Sequence, residues 1–384
     1  MTALIRKYWN QQPLLLIMTL AIVFRLLAVV FARGFGMMDD HFLAVESAQS
    51  WVDGYNSSWL PGNPGISGPT GHNFFYPGLH FLLFSFFKFI HLNDPQLKMF
   101  FVRLINASWS LITIYFGYKI TERLSDKKSA RMVGLLLALL WFMPWISVRD
   151  LVETSCVPLL VLAVWFIVSR DQPGQTSAYF LSGLFLGLAF DIRPQTILFS
   201  IGLILVVLFE RKWKEMVTLI LGTFIPIVLV EGTVDYFIWG KPFVELIGYV
   251  KGNIQSAHDY ITLPWYDYFL VIFGILVPPV SLMLFFGFLR TWKKYLLIFI
   301  PVAIFFIFHS CFPNKQERFI LPILPFIIIT GVIGWNEFTD RSRFWMNHKG
   351  LLRVSWIFFW VLNLALLVPV TVAYSKRERV ETMV

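Results

Sequence analysis

Long apolar runs recur along almost the whole chain, and no other feature of the sequence constrains the fold as strongly. A helix needs about 20 apolar residues to cross the hydrocarbon core of a bilayer. Since 57% of the 384 residues are hydrophobic and 14% are charged, a water-soluble fold could not bury the apolar surface. The pattern predicts an all-α polytopic membrane protein and excludes a soluble enzyme, a disordered chain and a nucleic-acid-binding module. We predict about eleven spans, at 13–32, 100–120, 132–147, 152–169, 178–190, 195–209, 216–234, 267–289, 295–310, 319–336 and 351–373.

The apolar run 74–92 is long enough to span, but it carries Pro77, His80, Lys88 and His91. Short cytoplasmic loops carry an excess of Lys and Arg. If this run lies in the membrane interface, the basic connections between the later spans face the cytoplasm; if it spans, they move outside. We therefore predict an interfacial helix here. The net charge of +9 then follows from topology and requires no nucleic-acid partner.

Two long connections lie on the predicted outer side, at 33–99 and 235–266. Long structured loops are commonly functional. No linker, repeat or low-complexity segment divides the chain, so we predict one membrane domain over 1–384. The basic tail beyond residue 375 would fall outside, against the positive-inside rule, and this leaves the span count near the C-terminus open.

Three charged residues stand at the outer ends of early and middle spans. Asp39 and Asp40 follow the first span, where a carboxylate could act as a general base or cap the next helix. Arg193 lies at membrane depth, where a charge is either a functional candidate or an anchor paired with Asp191.

A second charged group precedes a late span at its outer end. Lys315 and Arg318 could hold a phosphate there, and an ordinary polar boundary with Glu317 neutralising one cation is the alternative. Asp235 opens the second outer loop. Because the charges gather at one face and not near the midplane between repeated halves, an enzyme acting at the membrane edge is favoured over a transporter. The histidine spacing and two cysteines suggest no metal site, so we expect no metal and no cofactor.

These motifs resemble the GT-C superfamily of polyprenyl-phosphate-sugar-dependent glycosyltransferases, and most closely its family 22, the mannosyltransferases of lipid-linked oligosaccharide and GPI assembly. The family's acidic pair with a following aromatic residue reads Asp39–Asp40–His41–Phe42, and the start of its interfacial helix reads Tyr76–Pro77–Gly78. Its Arg-Pro turn is Arg193–Pro194, and its Asp-to-Gly-Lys motif runs from Asp235 to Lys241. Its His-Lys-Glu-x-Arg-Phe motif falls on 314–319, with Asn314 in place of His and Gln316 in place of Glu.

The resemblance implies a GT-C fold and an inverting glycosyltransferase that moves a hexose, with mannose expected, from a polyprenyl-phosphate-sugar donor. The acceptor would be a lipid-linked or other glycan on the outer face, and the lipid bilayer is the other expected partner. Asp39 or Asp40 would be the catalytic base. The implied donor-phosphate residues are Lys315, Arg318 and Arg193, and the implied sugar-binding residues are His41, Asp235, Lys241 and Glu317.

Alternatives remain open at this point. A transporter or flippase of lipid-linked sugars, or a GT-C enzyme acting on protein or lipid A, would share several of these features. The chain is shorter than eukaryotic members of family 22 usually are, so we expect a bacterial relative in the cytoplasmic (inner) membrane, with the endoplasmic reticulum membrane as the alternative for a eukaryotic source.

Overall fold

The computed structural model describes residues 8–35, 41–55, 60, 68–170, 172, 174–259 and 261–374. Within these ranges the secondary structure is helical, without a strand and with one isolated β-bridge between Thr262 and Asn314. The all-α prediction is confirmed.

The helices follow one another with short connections. The first part contains α1 (Pro13–Phe31), α2 (Ser47–Val52), α3 (Phe75–Phe89), α4 (Pro95–Leu124), α5 (Lys127–Leu139), α6 (Met143–Ile146), α7 (Val152–Ser155), α8 (Val157–Ser169), α9 (Thr176–Ile192) and α10 (Ile197–Phe209). The second part contains α11 (Trp213–Ile227), α12 (Thr233–Trp239), α13 (Val244–Gln255), α14 (Asp267–Ile275), α15 (Val280–Arg290), α16 (Leu296–Cys311), α17 (Leu324–Arg341), α18 (Arg343–Asn347) and α19 (Lys349–Thr371). π-helical turns cover His41–Glu46 and Val228–Gly232, and 3₁₀ turns cover Pro194–Thr196 and Glu317–Ile323.

By length and composition, six helices in the described part of the chain could cross a membrane, or seven if one bent pair forms a single span. Three shorter apolar helices accompany them. The count of about eleven spans therefore stays a prediction. The predicted interfacial helix is α3, whose 15 residues are fewer than the roughly 20 that a span needs.

Two of the predicted spans are not continuous helices. The segment predicted at 132–147 is broken after Leu139, and helix resumes only at Met143, with Pro144 in its first turn. The segment predicted at 267–289 bends by 119° between α14 and α15, at Pro278 and Pro279. Proline has no N–H to donate, so a helix is readily interrupted where it occurs.

Glycines let neighbouring helices approach closely in the bundle. A Cβ added to Gly287 of α15 would lie 2.0 Å from the carbonyl oxygen of Gly331 in α17, and one added to Gly183 of α9 would lie 2.4 Å from that of Leu219 in α11. Small residues at such contacts allow backbones to pack together within a bilayer.

We expect Gly287→Ala to destabilise the protein by about 1–3 kcal/mol, because the new methyl group overpacks the contact between α15 and α17. Thermal unfolding of the purified protein in detergent would measure the change. The control is Gly274→Ala in α14, where an added Cβ meets no atom within 4 Å. Equal unfolding midpoints for the two variants would contradict the assigned contact.

Buried Arg149 fixes the exit of the first helix. Its guanidinium donates to the carbonyl oxygen of Arg33 at 2.7 Å and to that of Gly34, and also reaches the carbonyl oxygen of Ala373 at 3.3 Å. The planar group also stacks over Trp145. One buried cation therefore holds the beginning of the first predicted outer loop against the end of the last helix.

Candidate active site

A cavity of about 430 Å³ lies where the two predicted outer loops meet the helix ends. Its volume falls within the range typical of small-molecule sites. The wall is assembled from seven separate parts of the chain: residues 43–44, residues between 70 and 77, Val152, residues 192–195, Glu231, α13 with Ser256, and the set Asn314, Gln316, Arg318 and Phe319. The predicted outer loops and the charged motifs are thus brought to one place.

Two arginines share one buried carboxylate at the wall of this cavity. Nη1 of Arg193 lies 2.8 Å from Oε1 of Glu153, and Nε of Arg318 lies 3.3 Å from the same oxygen. Both guanidinium groups also lie over the ring of Phe319, with 4.9 and 5.6 Å from Cζ to the ring centroid. One buried carboxylate therefore holds both guanidinium groups close together.

Local sequence explains how the arginines are presented. Arg193 is in extended conformation between α9 and the 3₁₀ turn that begins with Pro194, since the residue before a proline disfavours the α-helical region. Arg318 lies in the 3₁₀ turn that precedes α17, and its Nε donates to Oε1 of Gln316 at 2.8 Å. The alternative partner of Arg193, Asp191, is not the one that the structure pairs with it; Glu153 is.

Two other residues of the late motif point elsewhere. The amine of Lys315 donates to the carbonyl oxygen of Phe312 at 2.5 Å, and burial lowers the pKa of this amine. Glu317 is exposed. Neither side chain is among those that line the cavity in the described part of the chain. The structure therefore brings together Arg193 and Arg318, and it leaves Lys315 and Glu317 outside.

Three other predicted sugar-binding residues also lie away from the cavity. Asp235 is buried, and its Oδ2 accepts from the backbone N–H of Glu245 at 2.9 Å, which stabilises the first turn of α13. Lys241 is exposed. The ring of His41 stacks on Phe35 with 5.4 Å between centroids. None of these three lines the cavity as described.

Asp39 and Asp40, the predicted catalytic residues, lie outside the described residues. The chain that follows them is described from His41 onward, and Leu43 and Ala44 contribute to the cavity wall.

Sequence reasoning missed several polar residues of the cavity. The side-chain amide of Asn73 donates both to the carbonyl oxygen of Asp191, at 2.5 Å, and to Oε1 of Glu231, and its own Oδ1 accepts from the N–H of Phe75 at 2.7 Å. Glu245 accepts from the backbone N–H of Gly71 at 2.6 Å. A signal for Glu231 was present, because it is a carboxylate within the predicted span 216–234. Asn73 carried no comparable signal.

Glu245 links the two predicted outer loops. Its Oε2 accepts from the backbone N–H groups of Gly71 and His72, at 2.6 and 3.1 Å. Burial raises the pKa of its carboxyl group. Gly71 has φ of +75°, and an added Cβ would lie 2.9 Å from the backbone of Gly248, so only glycine allows this approach.

A buried ion pair is linked to the cavity wall through Tyr76. Nε2 of His80 is 3.2 Å from Oδ1 of Asp150, and the hydroxyl of Tyr76, a cavity residue, donates to the same oxygen. Burial opposes charge on both groups, but their mutual attraction outweighs it. The pKa of His80 therefore lies above its ordinary 6.5, and the pKa of Asp150 lies below its ordinary 3.8.

The pair predicts a pH dependence of stability. The contribution of His80 is fully present below about pH 6.5 and is lost as pH rises through its raised pKa, whereas that of Asp150 is lost only as pH falls below about 3.8. We expect the unfolding midpoint of the protein in detergent, measured from pH 6 to 9, to fall more steeply than that of His80→Gln. Parallel curves for the two proteins would contradict the ion pair.

Metal binding has no support from the described side chains. Among residues 8–35, 41–55 and the later described ranges, no three His, Cys, Asp or Glu side chains are grouped so that they could hold a metal ion.

Curated proteins similar to the chain are mannosyltransferases. The chain is 25% identical to bovine (Bos taurus) GPI alpha-1,2-mannosyltransferase 3 over 303 residues, which cover 76% of this chain and 53% of the relative. It is 25% identical to the human (Homo sapiens) alpha-1,2-mannosyltransferase ALG9 over 260 residues, which cover 62% of this chain and 41% of the relative. The chain thus spans about half the length of these two relatives.

Solved structures show the same fold. ArnT from Cupriavidus metallidurans bound to undecaprenyl phosphate matches with a TM-score of 0.64 and 14% identity, covering 91% of this chain and 62% of ArnT. The oligosaccharyltransferase of Archaeoglobus fulgidus in its apo form matches with a TM-score of 0.52 and 11% identity, covering 96% of this chain and 57% of the enzyme. The predicted GT-C fold is confirmed. The sequence model of the Alg9-like mannosyltransferase family matches residues 15–383, and the chain therefore belongs to that family.

Proposed function

We propose that this protein is an inverting membrane glycosyltransferase that moves mannose from a polyprenyl-phosphate-mannose donor to a lipid-linked or other glycan on the outer face of the membrane. The observation that carries the proposal is the pair of arginines, Arg193 and Arg318, held on Glu153 at the wall of the polar cavity. Family membership and the names of the relatives support mannose as the sugar.

The arginine pair suits the phosphate of such a donor. Guanidinium groups present several N–H donors in a fixed plane, and they bind phosphate oxygens more specifically than ammonium groups do. Glu153 holds the two groups near one another. An anionic phosphate in the cavity would be attracted by both guanidinium groups. ArnT, which shares the fold, has been solved with undecaprenyl phosphate bound, and this supports a lipid phosphate here.

The chemistry then needs a base and a stabilised leaving group. Asp39 or Asp40 would remove the proton from the acceptor hydroxyl as this oxygen attacks the anomeric carbon. The bond from the anomeric carbon to the phosphate oxygen breaks on the opposite face, so the configuration inverts. The polyprenyl phosphate leaves with one more negative charge on its oxygens, which Arg193 and Arg318 stabilise.

The prenyl chain has to enter from the bilayer. Helix α3, proposed to lie in the interface, contributes Tyr76 and Pro77 to the cavity wall. A lipid chain lying along this helix would leave its phosphate at the cavity. We place the protein in the bacterial cytoplasmic membrane, with the predicted outer loops on the periplasmic side.

The test is transfer of radiolabelled mannose from polyprenyl-phosphate-mannose in membranes that contain the protein, with a panel of glycan lipids as acceptors. We expect transfer that depends on the protein. No transfer, together with movement of the intact lipid-linked sugar between leaflets of reconstituted vesicles, would identify a flippase instead.

A further inference from the structure

Glu231 is a buried carboxylate at the cavity that the proposed reaction does not use. It is 5% exposed and lines the cavity. Its Oε1 accepts from the amide of Asn73, and its Oε2 has no hydrogen-bond partner among the described residues. A buried polar atom without a partner is costly, so this oxygen is an acceptor available to a ligand in the cavity.

Backbone geometry also marks this position. The helical segment 213–239 is interrupted by a π-helical turn at Val228–Gly232, two residues after Pro226. π-Helical turns within α-helices occur frequently at functional sites. This turn carries Glu231, the carboxylate that lines the cavity.

The chemistry offered here is that of hydrogen-bond acceptors. Both carboxyl oxygens of Glu231 can accept hydrogen bonds from hydroxyl groups. The amide of Asn73 is already committed to two oxygens, those of Glu231 and of the Asp191 main chain. Oε1 of Gln195, which also lines the cavity, lacks a partner within the described ranges too. A ligand that matches this wall has to bring hydroxyl groups as donors, as a neutral hexose does.

The position of Glu231 relative to the arginines indicates which sugar it would bind, that of the donor or that of the acceptor. Asn73 bridges Glu231 to the carbonyl oxygen of Asp191, and Arg193 follows two residues later in the same chain. A phosphate held by Arg193 would therefore lie near the hydroxyl-binding wall. In the donor, the hexose is bonded directly to that phosphate.

We propose that Glu231, positioned by Asn73, binds hydroxyl groups of the donor's hexose and so lets the site distinguish a sugar-bearing lipid phosphate from a bare one. This inference rests on the proposed function, because the phosphate position is assigned by it. It adds a specificity-determining residue outside the acidic pair and the arginines.

The experiment compares two lipids and two variants in detergent. The dissociation constants of a short-chain polyprenyl phosphate and of the same lipid carrying mannose would be measured for the purified protein, for Glu231→Gln and for Glu122→Gln. Glu122 pairs with Lys119 and does not line the cavity as described, so its variant controls for loss of a carboxylate. Glutamine at 231 keeps the shape and can still accept from Asn73.

We expect Glu231→Gln to weaken binding of the mannosyl lipid by about tenfold and that of the bare lipid by less than about twofold, because glutamine replaces one acceptor oxygen by an amide nitrogen and a hydrogen bond from a sugar hydroxyl is lost. Glu122→Gln should match the wild type for both lipids. Deoxy-mannosyl lipids should identify the hydroxyl group that Glu231 contacts. Removal of that hydroxyl should weaken binding to the wild type but cause no further loss of binding to Glu231→Gln.

Four outcomes would overturn the inference. Equal weakening of both lipids would assign Glu231 a structural role, and unchanged binding of the mannosyl lipid would leave the sugar to other residues; in both cases the proposed function stands. If a lipid that carries an amino sugar binds more tightly than the mannosyl lipid, the group that Glu231 recognises is a cation and not a neutral hexose. Failure of the wild type to bind either lipid would instead overturn the proposed function, and this inference with it.

Discussion

Replacement of Asp39 and Asp40 together by asparagine is expected to reduce mannose transfer by about 10²–10⁴-fold, the range associated with loss of a general base. Asparagine has nearly the shape of aspartate but cannot take the proton of the attacking hydroxyl. Binding of the donor should remain within about twofold of the wild type, since phosphate recognition is assigned to the arginines. The measurements are single-turnover transfer and donor affinity on the same preparations.

The matched control is Asp94→Asn in the same predicted loop. Asp94 caps α4, and its side chain accepts from the N–H of Leu97 at 2.8 Å. Asparagine caps helices about as well as aspartate, so this variant should transfer mannose normally. Single variants of Asp39 and Asp40 identify the base. The aspartate whose single replacement lowers transfer as much as the double replacement is the base. If the double variant transfers mannose at a rate close to that of the wild type, neither aspartate is the catalytic base.

Arg193→Met is expected to reduce transfer by at least about 10²-fold, because one of the donors aimed at the leaving phosphate is removed. It should also destabilise the protein by up to about 3–5 kcal/mol, the range for a buried charge that loses its partner entirely. Here the partner is Glu153, whose side chain is 0% exposed and which keeps only the longer contact with Arg318.

The two effects can be separated by a second substitution. In Arg193→Met with Glu153→Gln the buried carboxylate is replaced by a neutral amide and Arg318 keeps its hydrogen bond to Gln316, so the unfolding midpoint should recover in part while transfer stays low. Arg170→Met serves as the control for loss of an arginine, because its guanidinium stacks on Tyr179 and its Nη1 donates to the carbonyl oxygen of Ile167, away from the cavity. If the double variant regains both stability and transfer, Arg193 has only a structural role.

Some residues of the proposed mechanism are recognised from the sequence, and others are recognised only from the structure. The acidic pair and the two arginines follow from motifs, while Glu153, Asn73 and Glu231 follow from contacts. Glu153 shows the difference well. In the sequence it is one charge in a boundary segment, but in the structure it is the fixed point on which Arg193 and Arg318 converge.

The sequence by itself determined the class of fold, because apolar runs of membrane length leave a chain no stable alternative to helices in a bilayer. It also determined which segments carry charge at the ends of those helices, and the family resemblance followed from them. Local rules located the Arg193–Pro194 turn. They did not foresee that prolines would divide two of the predicted spans, since proline within an apolar run is compatible with either a kink or a break.

Only the tertiary structure decided which charged side chains share a site. Arg193 and Glu153 are 40 positions apart, and Asn73 and Glu231 are 158 apart, so no local periodicity relates them. Lys315 and Glu317 are adjacent to Arg318 in its motif yet line no part of the described cavity, because extended chain and a 3₁₀ turn send successive side chains in different directions. Helix packing sets these directions, and it depends on contacts between segments that are distant in sequence.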